Sequence, residues 1–283
     1  MNGFQTHDPN DHILRPIGMV RCAFQTSADI PIEGGPAIIE VQAEYADGLE
    51  GIDRGTHIVV LSWLHLADRS ILKARPRKLD PSAPSCGVFA SRAPVRPNPI
   101  GLTVVRLLSR NGNRLSVEPL DLIDGTPVLD IKSYVPGWDC VFSARRERRV
   151  PQNRLMDRHL LAFLERELRN HMGSMAAQPA ARIALAATFV AIRHLDVDVR
   201  DTCLRIETNR LDAGLDALMG LTGALLSEGR LMVRPESGPR TISFTLGGRN
   251  LYLTVVDEDA FSSDPADWST RGFVARATEC AGE

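Results

Sequence analysis

The sequence predicts a mainly β barrel in the N-terminal half, followed by a smaller α+β domain. Three observations carry that prediction. Short apolar runs separated by Pro- and Gly-rich turns fill residues 13–134. Helical apolar spacing begins only after residue 155. Between them lies a charged break, Arg145-Arg146-Glu147-Arg148-Arg149-Val150-Pro151. The chain has 283 residues, about twice the ~150 of a single domain. Its 43% apolar and 24% charged residues are those of a globular protein and exclude a disordered or fibrous one.

The elements follow in order. Ile13–Arg21 and Ala37–Tyr45 are strand candidates, and in the second Ile39, Val41 and Ala43 alternate with Glu40, Gln42 and Glu44. That is the period-2 pattern of a half-buried strand. Ile58–Leu66 is apolar on both faces and reads as a central strand that includes His65. Gly101–Ser109 and Arg114–Leu120 flank Asn111-Gly112-Asn113, a hairpin signal because Asn and Gly tolerate positive φ. Pro127–Tyr134 follows the turn Asp124-Gly125-Thr126. Several short strands with such loops predict a closed or nearly closed barrel. Leu155–His171 and Ala180–Leu195 have helical spacing, and Val199–Glu207, Arg240–Thr245 and Asn250–Val256 read as strands. The expected domains are therefore a barrel over 1–144, an α+β domain over 155–256, and a loose tail over 257–283.

Several function classes are excluded or left without support. The longest apolar stretch lies within Ile183–Ile192, far short of the ~18 to 20 residues of a bilayer span. Met1–Pro16 lacks the apolar region of a secretory signal. The five cysteines form no CxxC pair, so reduced thiols in a cytoplasmic protein are expected rather than a disulfide framework or a zinc ribbon. There is no GxSxG, P-loop, HExxH or glycine-rich dinucleotide loop. Net charge is only −2, yet residues 69–96 hold Arg69, Lys73, Arg75, Arg77, Lys78, Arg92 and Arg96 against Asp80 alone. Such a patch fits a polyanionic partner without requiring one.

Two segments can carry chemistry. The first runs from Gly87 to Leu102, GVFASRAPVRPNPIGL. Pro97 and Pro99 fix their own φ and push Arg96 and Asn98 out of the helical region. The result is a stiff bracket that holds Arg92, Arg96 and Asn98, or else a rigid loop with solvated arginines. The second is Leu120–Tyr134, LDLIDGTPVLDIKSY. Asp124 there can make an Asx turn. Asp121, Asp124 and Asp130 are metal-ligand types, but no glutamate closes a calcium loop, and no metal is expected. His65 is a core histidine or a catalyst.

These segments resemble those of a known family. GVFASRAPVRPNPIGLT and LDLIDGTPVLDIKSYVP, with the lead-in IGMVRCAF and YADGLEGIDRGTHIVVLSWLH, are similar to the signature segments of the TrmO family over residues 13–138. The resemblance implies an S-adenosyl-L-methionine-dependent methyltransferase on a β-barrel, acting as a homodimer on N6 of threonylcarbamoyladenosine at position 37 of tRNA. It implies a methyl-donor pocket lined by Pro31, Ile32, Glu33, His65, Arg92, Leu102, Asp124, Gly125, Thr126 and Pro127. Glu33 stands where the family pattern has glutamine. Arg96, Asn98, Lys73, Arg75, Arg77 and Lys78 would then meet the anticodon stem-loop. His65 and Asp124 are the base candidates by side-chain type. Two other readings stay open: the same barrel acting on another substrate, and a non-catalytic cofactor- or RNA-binding adaptor.

Residues 158–256 resemble the E-type domains of formylmethanofuran dehydrogenase through IETNRLDAGLDALMGLTGALLSEGRLMV. Leu211 stands near one cysteine of that pattern, and its Cys-Pro-Gly after His171 is absent. The resemblance thus implies a lost metal site and an accessory role in dimerisation or RNA docking.

Overall fold

The computed structural model describes residues 13–75, 83–140, 152–262 and 268–279. The chain divides into two compact units, 1–147 and 148–283.

The first unit is a closed barrel of six antiparallel strands. Its strands are β1 (Gly18–Arg21), β2 (Gly35–Val41), β3 (His57–Trp63), β6 (Ile100–Asn111), β7 (Arg114–Leu120) and β8 (Pro127–Ser133), in the order β1-β2-β7-β6-β3-β8. Two two-residue strands, β4 (Lys73–Ala74) and β5 (Cys86–Gly87), pair as a separate ribbon. The alternation expected for β2 turns Ala37, Ile39 and Val41 inward, where they meet Val20, Ile58, Val60, Val105, Leu115, Val117 and Val128. The Asn111-Gly112-Asn113 hairpin forms as expected, with Gly112 at φ +61. β2 stops at Val41, and the chain continues as a 3-10 helix over Ala43–Leu49. A short helix, α1 (Pro136–Asp139), follows β8.

Strand order decides where the loops go. Leu120 pairs with Gly35, Met19 with Pro127, and Ser62 with both Gly101 and Val128. The ends of β1, β3 and β7 and the starts of β2, β6 and β8 therefore share one rim. Connections 22–34, 64–99 and 121–126 all leave from it. The opposite rim carries connection 42–56 and the tight hairpin.

The second unit packs α2 (Asp157–Met172), α3 (Pro179–Leu195) and α4 (Ala213–Thr222) on a five-stranded sheet. The sheet holds β9 (Arg205–Thr208), β10 (Leu231–Val233), β11 (Thr241–Leu246), β12 (Arg249–Val255) and β13 (Phe273–Glu279), ordered β10-β9-β11-β12-β13. α3 packs against α2, α4, β11 and β12, which explains why twelve of its seventeen residues are buried.

The expected loose tail over 257–283 is corrected here. β13 pairs with β12 from Arg249↔Glu279 to Val255↔Phe273. Phe261, Trp268 and Phe273 are buried, and Trp268 meets Phe189 of α3 edge to face at 5.8 Å. The reason is hydrophobic: three large rings in a polar stretch remove more apolar surface from water than its low periodicity implied. No helix among the described residues is long and apolar enough to cross a membrane.

Candidate functional site

The 121–126 turn is fastened to the chain after β1. Asp124 N donates to the Phe24 carbonyl at 2.7 Å, and Asp124 Oδ1 accepts from Cys22 N at 3.1 Å. Gly125 N donates to Val20 O at 2.9 Å, at a φ of +74 that favours glycine. Thr126 Oγ1 donates to Ile123 O at 2.8 Å. One face of the Asp124 carboxylate thus holds the turn, and Oδ2 has no partner among the described residues. Cys22 Sγ donates to Leu122 O at 3.4 Å. Burial pushes its thiol up and the Asp124 carboxylate adds to that, against a lowering hydrogen bond with the Phe24 backbone.

The Pro31-Ile32-Glu33 turn reaches the same place. Gly34 N closes it on Pro31 O at 3.0 Å. Gly34 has φ +82, and a Cβ there would lie 2.9 Å from the Leu120 carbonyl carbon. The Phe24 ring covers Gly35, leaving a Cβ only 2.6 Å. Phe24 thereby joins the 31–35 turn to Asp124. Thr103 Oγ1 of β6 donates to Asp121 Oδ1 at 2.9 Å, so the start of β6 is tied in as well.

The third loop, 64–99, is braced by its own arginines. Arg96 donates to three backbone carbonyls: Nε to Ala93 at 2.8 Å, and Nη2 to Ser91 at 2.7 Å and Val88 at 3.1 Å. Arg69 Nε donates to Pro97 O at 2.8 Å, with its guanidinium 5.6 Å from the centre of the Trp63 ring. Leu64 N donates to Pro99 O at 2.7 Å and Val88 N to Leu72 O at 3.0 Å. Asp68 accepts from both Ser70 N and Ser70 Oγ, which hold its carboxyl below the usual range.

The predicted residues therefore fall into groups. Pro31–Glu33 and Asp124–Pro127 come together at the rim, and Arg92, Asn98, Lys73 and Arg75 project, exposed, from the loop that leaves it. Arg92 has no hydrogen-bond or ion-pair partner among the described residues. His65 is corrected: β3 ends at Trp63, and His65 lies beyond it, exposed, in a turn where Ala67 N bonds Leu64 O at 2.9 Å. The ladder runs out there because Leu64 N still donates to Pro99 O in the β3–β6 register, but Pro99 has no N–H to return the bond. Leu102 faces outward on β6 and is 46% exposed, in line with Ile100 (38%) and Val104 (39%). Arg96 is turned into its loop rather than outward. Arg77 and Lys78 lie outside the described residues.

Sequence reasoning missed Cys22, Phe24 and Thr103, and it read Arg69 as part of the basic patch rather than as a brace of the loop. Cys22 and Phe24 lie in IGMVRCAF, a segment noted only as part of the resemblance. Nothing in the sequence marked Thr103 for this role. A separate cavity of about 550 Å³ opens at the opposite rim beside Asp47, Glu50 and Arg110. It includes none of the predicted residues, and Arg110 is already bonded to Leu49 O at 2.7 Å and Gly112 O at 2.9 Å.

Fold and rim define a single-sheet barrel with a polar, loop-built end rather than a doubly wound nucleotide-binding domain. The family described as "tRNA-methyltransferase O N-terminal domain" matches residues 19–140. An Archaeoglobus fulgidus protein named "S-adenosyl-L-methionine-binding protein" is 47% identical over 133 residues, covering 46% of this chain and 94% of its own. A Methanothermobacter thermautotrophicus protein named "Probable S-adenosyl-L-methionine-binding protein" is 45% identical over 130 residues, 44% of this chain and 92% of its own. A solved structure titled "Crystal structure of TrmO" is 38% identical with a TM-score of 0.41, covering 48% of this chain and 63% of that one. The chain belongs to the TrmO family through its barrel unit.

Proposed function

We propose that the chain is an S-adenosyl-L-methionine-dependent methyltransferase that methylates N6 of threonylcarbamoyladenosine at position 37 of tRNA. One observation carries this reading. The family-matched segment folds so that the 31–35 and 121–126 turns join at one rim and the Arg92 loop leaves from that same rim. The donor carries a sulfonium, an ammonium and a carboxylate, and it supplies an electrophilic methyl. The residues present fit such a group. Asp124 Oδ2 and the rim carbonyls are acceptors for cations, and Arg92 is a free planar donor for the carboxylate. Phe24, Gly34 and Gly35 hold the acceptor side rigid, which favours an in-line arrangement.

An N6 flanked by a carbamoyl group loses its proton more readily than an ordinary adenine amine. His65 and Asp124 are the candidate bases by side-chain type, and His65 is the one not already assigned to the donor's cations. Lys73, Arg75 and Asn98 are the described residues for the anticodon stem-loop, with phosphate contacts supplying salt-sensitive affinity. The outward stripe Ile100, Leu102 and Val104 supports a homodimer, because contiguous exposed apolar surface marks a contact. A cytoplasmic location follows from a tRNA substrate.

The test is transfer of tritiated methyl to tRNA that carries threonylcarbamoyladenosine. Label on that tRNA and none on unmodified tRNA is expected. Folded, donor-binding protein that transfers no label ends the proposal.

A further inference from the structure

We propose that the outer face of the second unit's sheet is a platform for a single-stranded stretch of RNA. This rests on the RNA reading above and gives a role to the half of the chain outside the family match. Ile206, Ile242, Phe244, Leu251, Leu253 and Val255 fill the inner face, all buried. The alternate residues form three rows across the other face. The central row is Met232–Glu207–Ser243–Tyr252–Arg276. Thr241–Thr254–Val274 lies on one side of it. Arg205–Thr245–Asn250–Thr278 lies on the other. The face is open among the described residues: Tyr252 is 48% and Val274 59% exposed.

The chemistry of the face selects the occupant. The one acid in these rows, Glu207, is paired with Arg234 at 3.1 Å. Arg205 and Arg276 have no acidic partner among the described residues, so the rows are left net positive. Tyr252 stands beside Arg276 on the neighbouring strand, amid hydroxyls of Thr241, Ser243, Thr245 and Thr254. An aromatic ring and a guanidinium plane stack unpaired bases, hydroxyls bond base edges and 2′-OH groups, and flanking arginines neutralise phosphates. Four strand spacings separate the ends of the central row, about 19 Å, a span of a few nucleotides. A second copy is a poorer occupant, because the half-buried Met232 together with Tyr252 and Val274 is too little apolar surface for the core of a dimer interface.

The experiment uses the full chain and a short fluorescent single-stranded RNA of mixed sequence, read by anisotropy across a salt series. Tyr252→Ala should weaken binding about tenfold and Tyr252→Phe should retain it, since the ring does the stacking. Arg205→Ser with Arg276→Ser should reduce the salt slope by about 1.4. No RNA binding, or wild-type affinity in Tyr252→Ala, overturns the platform. So does loss of self-association in Tyr252→Ala with RNA affinity intact. Ring-dependent RNA binding without methyl transfer to tRNA supports the platform and sinks the proposed activity. Methyl transfer by Tyr252→Ala at the wild-type KM for tRNA sinks only the platform.

Discussion

Replacing Arg96 separates two jobs that its position in the sequence cannot distinguish. As an exposed basic residue it would contact RNA, and its loss would leave donor binding alone. The structure instead aims its guanidinium at the carbonyls of Val88, Ser91 and Ala93. Bonds from a charged donor are worth about 1.5 to 3 kcal/mol each. At a half-buried site, about 1 kcal/mol each is the better figure, or about 3 kcal/mol for the three. Ordering backbone costs about 1 to 2 kcal/mol per residue, so this offsets two or three residues of the loop, and Pro94, Pro97 and Pro99 stiffen the rest. Without Arg96 the fraction of loop in the competent shape falls by up to about 100-fold, and the apparent Kd rises by the inverse. Arg96→Ala should therefore weaken S-adenosyl-L-methionine binding in a calorimetric titration by tens of fold, with little change in melting temperature. Arg96→Lys should recover little, because an ammonium cannot span three carbonyls as a planar fork does. A wild-type donor Kd in Arg96→Ala, with only RNA affinity reduced, would refute the clamp.

Two further outcomes concern the barrel itself. Among the described residues Ser62 Oγ is buried without a hydrogen-bond partner, and a Cβ on Gly101 would sit 2.4 Å from it. Gly101→Ala should cost about 1 to 3 kcal/mol of stability by overpacking. Ser62→Ala should be neutral or stabilising, and adding it to Gly101→Ala should recover much of the loss; an equal cost in both backgrounds on urea unfolding would count against this. His57 is held below its ordinary 6.5 by burial first and the Arg106 guanidinium second. The unfolded chain therefore takes up a proton that the folded one resists, so stability falls as pH drops through about 6.5. His57→Gln should flatten that slope, and a slope unchanged by the substitution would rule His57 out.

Much of the architecture was legible because local rules and tertiary demands agreed. The Asn111-Gly112-Asn113 turn, the alternation of β2 and the helical spacing of α2 and α3 each matched their surroundings. α4 was not legible, since Gly214, Leu215, Ala217, Leu218, Leu221 and Thr222 are buried with no polar face to set a period. β13 was missed because Ala275 and Ala277, which sit on its inward side, are small and exposed at the sheet edge. Both rim turns were marked by proline and glycine. His65 was misplaced because an apolar run shows no strand end when the partner strand sets it, here Pro99, which has no N–H to return the bond from Leu64 N.

The rim follows from strand order more than from any one residue. In the order β1-β2-β7-β6-β3-β8 the tight hairpin joining β6 to β7 lies at the far rim. That places connections 22–34, 64–99 and 121–126 together, however distant they are in sequence. Loops on a rigid barrel can carry exposed polar groups at little cost to the core, because strand pairing fixes where they start and end. Arg92 and Leu102 are then the informative residues, one a cation with no partner among the described residues and the other an apolar side chain facing outward on β6. A bound carboxylate would pair the first, and in the homodimer proposed above a second copy of the chain would cover the other.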